Sequence, residues 1–181
     1  MRIFILFGIL LISNYAFSQK LELGKVTVEE LKQKNHAIES NTSATIIFKN
    51  GISSFRTTGN GEWFLDTKID YKIKVYNKEG LEQGNQSFAF YTGGTSNEKV
   101  SISDAFTYNL VGDKIEKTKL RSEGEFVEKI NDNWSVKKLS FPAVNEGSII
   151  EFSVTKSSPY ITHIDDFYFQ TNIPIDNLKY T

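Results

Sequence analysis

Apolar and polar residues alternate along residues 63–75, and this period of two predicts a long β-strand. The apolar parity comprises Trp63, Leu65, Thr67, Ile69, Tyr71, Ile73 and Val75. The opposite parity is mostly charged, with two aspartates and three lysines. Strands of an antiparallel sheet commonly pack one face on the core and leave the other in water. We therefore expect the charged face of this strand to be solvated.

Similar patterns recur along the chain and predict further strands. One parity is shared by Val100, Ile102, Phe106, Tyr108 and Leu110, and another by Ile150, Phe152 and Val154. Short strands are predicted over 87–91, 114–118, 134–141 and 167–173. Turn signals occur at Asn50-Gly51, Gly59-Asn60-Gly61, Lys78-Glu79-Gly80, Thr92-Gly93-Gly94, Gly112-Asp113 and Asn145-Glu146-Gly147. This organisation is typical of an all-β, mainly antiparallel, β-sandwich-like domain.

A short helix is predicted over residues 28–35. Thr27 as the N-cap and Glu30 three residues later form a capping box, which satisfies two otherwise unpaired backbone N–H groups. Val26 and Leu31 occupy the positions of a hydrophobic staple around this cap. Such a short helix needs tertiary packing for stability, so we expect it to dock on the sheet.

The chain divides into three predicted parts. Residues 1–18 combine Arg2, an apolar run and small residues before a cleavage position, which indicates a signal peptide and export. The competing interpretation, a membrane anchor, needs about 20 apolar residues, roughly twice the run present. Residues 19–39 form an N-terminal segment with the helix, and residues 40–181 form the β-sandwich-like domain. Residues 120–132 within that domain follow no regular pattern, which is compatible with a loop carrying a helical turn, and we assign them no role.

Composition excludes several classes of function. The 181 residues contain no Cys and only two His, which removes disulfides, thiolate metal sites and cysteine nucleophiles. The formal net charge is −1, from 21 basic and 22 acidic residues. We therefore expect no nucleic-acid partner, and no membrane span once the signal peptide is cleaved.

Candidate chemistry is sparse. His163, Asp165 and Asp166 gather an imidazole and two carboxylates, groups that suit a metal or acid–base site, although a solvated turn explains them better. His36 follows the predicted helix, where a partly positive imidazole complements the helix dipole. We assign no catalytic, cofactor-binding or metal-binding residue, and we expect no cofactor.

Other polar and aromatic residues have a structural explanation that we prefer. Asp66 and Asp70 share the charged strand face with lysines, which favours a mixed-charge surface over a glycosidase pair. The Gly93-Gly94 pair lacks the Lys-Ser/Thr of a phosphate-binding loop. Phe64 and Tyr160 are the aromatic residues to inspect first for a docking platform, and packing against a second sheet or under loops is the alternative.

The order of several segments resembles a known family. These segments include Val28-Glu29-Glu30-Leu31, residues 70–80, residues 105–110, residues 141–152 (FPAVNEGSIIEF), Ser158-Pro159-Tyr160-Ile161 and residues 169–174 (FQTNIP). Together they resemble the domain of unknown function that lies N-terminal to a transglutaminase-like core in exported proteins of Gram-negative bacteria, especially Bacteroidetes. The resemblance covers nearly all of the chain after the signal peptide.

The resemblance implies a β-sandwich-like domain in the periplasm or on the cell surface, incomplete at its C-terminal end. The family's catalytic Cys, His and Asp belong to the downstream core, so none of them is carried over to this sequence. Our preferred hypothesis is an exported, non-catalytic accessory domain that interacts with other proteins or supports a missing core. The alternative is a stand-alone carbohydrate- or peptide-binding module of the cell envelope, whose partner would be an envelope protein or glycan.

Overall fold

Residues 21–181 are described by the computed structural model, so the predicted signal peptide at 1–18 lies outside the described residues. The described part contains one α-helix, nine β-strands and two 3₁₀ helices, which span Glu79–Gly84 and Ser122–Gly124. The helix and strands are α1 (Val28–Lys32), β1 (Ala44–Thr57), β2 (Trp63–Val75), β3 (Asn85–Tyr91), β4 (Lys99–Val111), β5 (Lys114–Lys119), β6 (Glu125–Lys129), β7 (Trp134–Ser140), β8 (Ile149–Ser158) and β9 (Leu178–Tyr180).

The strands form two sheets that enclose the main core. The larger sheet has the order β5-β4-β8-β2-β1-β9 and the smaller one the order β3-β7-β6. Every pair is antiparallel except β1 with β9. Ile73 and Phe152 of the larger sheet share a buried cluster with Leu139 of the smaller one. The predicted all-β, mainly antiparallel fold is confirmed.

The segment before β1 covers part of the larger sheet's outer face, and this corrects the predicted solvated face of β2. Lys72 and Lys74 are 3% and 0% exposed. The Lys72 ammonium donates to the Glu30 carboxylate at 2.7 Å, while the buried Glu151 carboxylate accepts the Gly24 backbone N–H at 2.7 Å. The alternation predicted the strand correctly, but the partners that bury these charges come from elsewhere in the chain.

The capping box of α1 is present, with the Thr27 and Glu30 side chains bonded reciprocally to the backbone. Leu31 is buried and packs together with Val26, as the staple predicts. The helix ends at Lys32, however, which is three residues earlier than expected.

Two sequence predictions, one at β1 and one at β4, are wrong. Asn50-Gly51 is not a turn but lies inside β1, and a Cβ at Gly51 would come within 2.6 Å of the Tyr180 ring. In β4, the register shifts between Ser103 and Phe106. This bulge places Ile102 in the main core and Phe106 on the opposite face, although the two residues share one parity.

The remaining corrections concern irregular segments. Residues 167–173 were predicted as a strand, but they form no strand in the structure. Residues 120–132, left unassigned, contain the second 3₁₀ helix and β6.

Candidate functional site

A cavity of about 480 Å³ lies between the two sheets. Strands β1 and β2 have 14 and 13 residues, whereas β3, β7 and β6 have seven, seven and five. The smaller sheet is therefore too short to cover the whole inner face of the larger one. Residues 165–173 supply another wall of the cavity. Its apolar lining includes Ile69, Tyr71, Phe88, Val100, Val154 and Ile173.

Lys49 brings a cation to this apolar cavity. It pairs with Tyr71 across β1 and β2, which places both side chains on the inner face of the sheet. The Lys49 ammonium donates to the Tyr168 backbone carbonyl at 2.8 Å and lies 4.3 Å from the centre of the Phe167 ring. Lys49 is only 6% exposed, and burial lowers its pKa. Among residues 21–181, no carboxylate lies within ion-pair distance of it.

Lys156, the second lysine of the cavity wall, is compensated. Its ammonium lies 2.9 Å from the Glu98 carboxylate and 2.8 Å from that of Asp165. Burial alone would lower the pKa of Lys156, but the bonds to Asp165 and Glu98 raise it. The Glu98 carboxylate also accepts the backbone N–H of Tyr91 at 2.7 Å, so the last N–H of β3 has a partner. The two lysines therefore differ in chemistry, because only Lys49 lacks an acidic partner in the described structure.

Strand β3 borders the cavity with an unpaired edge. The Thr92 backbone N–H donates to Asn133, so even-numbered residues along this strand face β7. Ser87 and Ala89 therefore direct their backbone N–H and C=O groups away from β7. Within the described residues no strand pairs with this edge. Both residues are exposed and line the cavity, so the edge is open beside an apolar space.

The histidine and carboxylates at 163–166 do not converge on one site. His163 is exposed, Asp165 binds Lys156, and Asp166 lies at the cavity wall. In residues 21–181 no group of three His, Asp or Glu side chains is arranged to hold a metal ion. The segment therefore contributes Asp165 and Asp166 to the wall of the cavity.

His36 has a structural role different from the predicted one. It lies beyond the end of α1, and its Nε2 is 2.8 Å from the Asp176 carboxylate. Its Nδ1 accepts the Glu39 backbone N–H at 2.9 Å, so Nε2 carries the hydrogen that Asp176 accepts. The imidazole thus joins the segment before β1 to the segment before β9.

The two aspartates of β2 interact with basic and hydroxyl side chains. Asp66 binds Arg56 at 2.5 Å and Ser157 at 2.6 Å, and the bond from Arg56 lowers the pKa of Asp66. Asp70 lies 3.2 Å from the Lys68 ammonium and accepts a hydrogen bond from Ser153. These contacts place both carboxylates in a network of charged and hydroxyl groups.

Phe64 and Tyr160 both pack against neighbouring groups. The Arg56 guanidinium lies 5.0 Å from the centre of the Phe64 ring. Tyr160 packs edge-on against Tyr91 at 5.6 Å, and its hydroxyl donates to the Ser96 carbonyl at 2.8 Å. Gly93-Gly94 lies in the loop before β4, and a Cβ at its second glycine would meet the Tyr160 hydroxyl at 2.2 Å.

Sequence reasoning missed Lys49 because the pattern around it is misleading. The register of β1 shifts between Ile46 and Phe48, which puts Ile46 on the inner face and Phe48 on the outer one. No alternation continues through that shift, so the inward direction of Lys49 becomes evident only from its pairing with Tyr71.

Comparisons with known proteins concern the fold only. No protein-family model and no curated protein matches the chain. The structure is similar to a crystal structure of a "putative protease" from Parabacteroides distasonis, with a TM-score of 0.50 and 7% identity. The match covers 64% of this chain and 23% of that one, so the chain corresponds to less than a quarter of that protein. Residues 21–181 include no helix with the length and apolarity needed to cross a membrane. The described residues therefore form a mainly β structure, and the matched part of it is similar in fold to part of a larger protein.

Proposed function

We propose that this chain is an exported, non-catalytic β-domain that acts as an accessory or interaction module, of the kind that precedes a transglutaminase-like core. The signal-peptide pattern of residues 1–18 supports export to the periplasm or cell surface. The segment order described above supports the family, and the fold similarity to part of a larger protein is compatible with an accessory domain.

The free edge of β3 is the observation that carries the proposal. Ser87 and Ala89 present unpaired backbone groups beside an apolar cavity. A peptide in extended conformation can add to such an edge, with its backbone bonded to β3 and alternate side chains directed into the cavity. Backbone bonds provide affinity in this mode, and the cavity provides selectivity.

The sequence supports binding rather than catalysis. A transglutaminase-like reaction uses a cysteine nucleophile, and the 181 residues contain none. The charged groups at the cavity are Lys49, Lys156, Asp165 and Asp166, of which Lys156 and Asp165 are paired with each other. This set is suited to orienting a bound molecule.

Two proline substitutions test the proposal. Ala89→Pro removes an N–H that points away from β7, so it blocks strand addition without removing a bond of the sheet. Val127→Pro is the matched control on β6, at the opposite edge of the same sheet. The Ile130 N–H donates to Trp134, so Val127 also points its N–H away from β7.

The wild-type full chain is used to select binders from a displayed library of random 12-residue peptides. We expect enriched peptides with alternating apolar residues, bound by the wild-type chain and the Val127→Pro variant but at least tenfold more weakly by Ala89→Pro. Peptides that bind all three proteins equally would contradict the proposal. Retention of all three proteins on a glycan array, without peptide enrichment, would favour the carbohydrate-binding alternative.

A further inference from the structure

Lys49 is an unusual residue for the inner face of a β-sandwich. Only 6% of its surface is exposed, and the lining of the cavity beside it is mainly aromatic and aliphatic. A buried ammonium without an acidic partner is energetically unfavourable, and lysines in such positions are normally paired. The Tyr168 carbonyl accepts one of its three N–H groups and the Phe167 ring faces it. These contacts satisfy part of its hydrogen-bonding capacity and leave its charge without a counter-ion.

The cavity beside Lys49 has the dimensions and lining of a small-molecule site. Its volume of about 480 Å³ falls within the range of about 300–1,000 Å³ that is typical of ligand pockets. Such pockets are mainly apolar and contain a few polar groups that fix the orientation of the ligand. Here Thr67, Gln86 and Asn172 accompany the apolar residues in the wall.

We infer that this cavity binds a small apolar monocarboxylate, whose carboxylate pairs with Lys49 and whose apolar body lies between Tyr71, Phe88 and Val154. This inference rests on the proposed binding function and names a ligand class for the same cavity. A carboxylate supplies the missing counter-ion of Lys49, and a charge-assisted hydrogen bond is stronger in this apolar setting than on the surface. Tyr71 is held by stacking on Phe152 at 4.8 Å, and Phe88 packs against the same two rings, so this apolar part of the wall is well ordered for the body of the ligand.

The acidic residues of the wall select for a single negative charge. Asp165 is paired with Lys156, whereas Asp166 is an exposed residue of the wall. A ligand with a second carboxylate would place it towards Asp166 or among apolar side chains, and either position is unfavourable. A neutral head group would leave the Lys49 ammonium without a counter-ion. A cationic head group would be repelled by it.

The test measures binding of decanoate, 1-decanol and decylamine to the full chain by isothermal titration calorimetry. These probes share one alkyl chain and differ in the head group. Lys49→Met removes the charge while keeping a side chain of similar length, and Lys49→Arg keeps the charge. Lys179→Met, at an exposed position of β9, is the matched control for the loss of a lysine. Thermal unfolding of each variant verifies that it is folded.

We expect the wild-type chain to bind decanoate roughly ten- to a hundredfold more tightly than 1-decanol, the factor of a charge-assisted hydrogen bond. Lys49→Met is expected to lose this preference while retaining weak binding of 1-decanol, and Lys49→Arg and Lys179→Met are expected to keep it. Absence of decanoate binding, or an equal preference in Lys49→Met, would overturn the inference. Peptide selection with Ala89→Pro is a separate measurement that does not depend on Lys49, so failure of the decanoate test can be distinguished from failure of the proposed function.

Discussion

Lys74 offers the sharpest test of how the N-terminal segment is held on the sheet. Its side chain is fully buried, and its ammonium donates to the Leu31 carbonyl at 2.9 Å and to the Gly147 carbonyl at 2.6 Å. Burial lowers the pKa of Lys74 from 10.5 to about 8, against the opposing influence of Glu30. The neutral amine can still donate both bonds, so the folded state can lose the proton while retaining these contacts.

The lowered pKa makes the free energy of unfolding depend on pH. Between pH 8 and 10.5 the unfolded chain binds more protons at Lys74 than the folded chain, so stability rises with pH. Burial of the charged Lys74 ammonium destabilises the folded chain. This destabilisation is fully present below pH 8 and disappears above pH 10.5. At 1.36 kcal/mol per pKa unit, it amounts to about 3 kcal/mol at pH 7. Most of this, about 2–3 kcal/mol, is recovered between pH 7 and pH 10.

The perturbation is Lys74→Met, compared with the wild-type chain by urea unfolding at pH 7, 8, 9 and 10. The substitution leaves two carbonyls without their donor, so the difference in free energy of unfolding between the two proteins at pH 7 combines several effects. The informative quantity is how this difference, the offset, changes with pH. We expect the free energy of unfolding of the wild-type chain to rise by about 2–3 kcal/mol relative to that of the variant from pH 7 to pH 10. Val75→Ala, at a buried apolar neighbour, should show a constant offset.

A difference between the wild-type chain and Lys74→Met that stays constant from pH 7 to pH 10 would refute this reasoning. It would show that the ammonium is not desolvated in the folded state. Buried tyrosines do not confound the comparison. Burial raises the pKa of Tyr71 and Tyr76 to about 12, and both residues are present in each variant.

Two substitutions test local features of the fold. Thr27→Ala removes the cap of α1 and should lower the free energy of unfolding by about 1 kcal/mol. Hydrogen exchange at the Glu30 amide, which donates to the Thr27 hydroxyl, should become faster in this variant. Thr27→Ser is expected to keep that amide protected. Gly51→Ala places a Cβ 2.6 Å from the Tyr180 ring and should destabilise the protein by about 1–3 kcal/mol. Exchange at the Thr181 amide, which donates to Gly51, should accelerate, and an unchanged rate there would contradict the proposed clash.

Local pattern was sufficient where neighbours in sequence decide the structure. The alternation along residues 63–75 identified β2, and the Thr27–Glu30 capping box identified the start of α1. The cap works through bonds within four residues, so it can be predicted without knowledge of the fold. The end of α1 was placed three residues too late, since no comparably specific signal marks it.

The candidate site depended on strand pairing that the sequence pattern does not reveal. The register shifts in β1 and β4 exchange the two faces of the sheet, so parity alone misplaces Phe106 and gives no direction for Lys49. The residues that complete the cavity, such as Phe88 and Phe167, belong to distant parts of the chain.

The sequence alone therefore determined the all-β class, the capped helix and the lack of a cysteine nucleophile, because periodicity, capping and composition are local or additive properties. The tertiary structure alone decided that Lys72 and Lys74 are buried and that Lys49 faces an apolar cavity. Whether a charge is solvated depends on which segments pack over it. That packing is fixed by long-range pairing and not by the residues beside the charge.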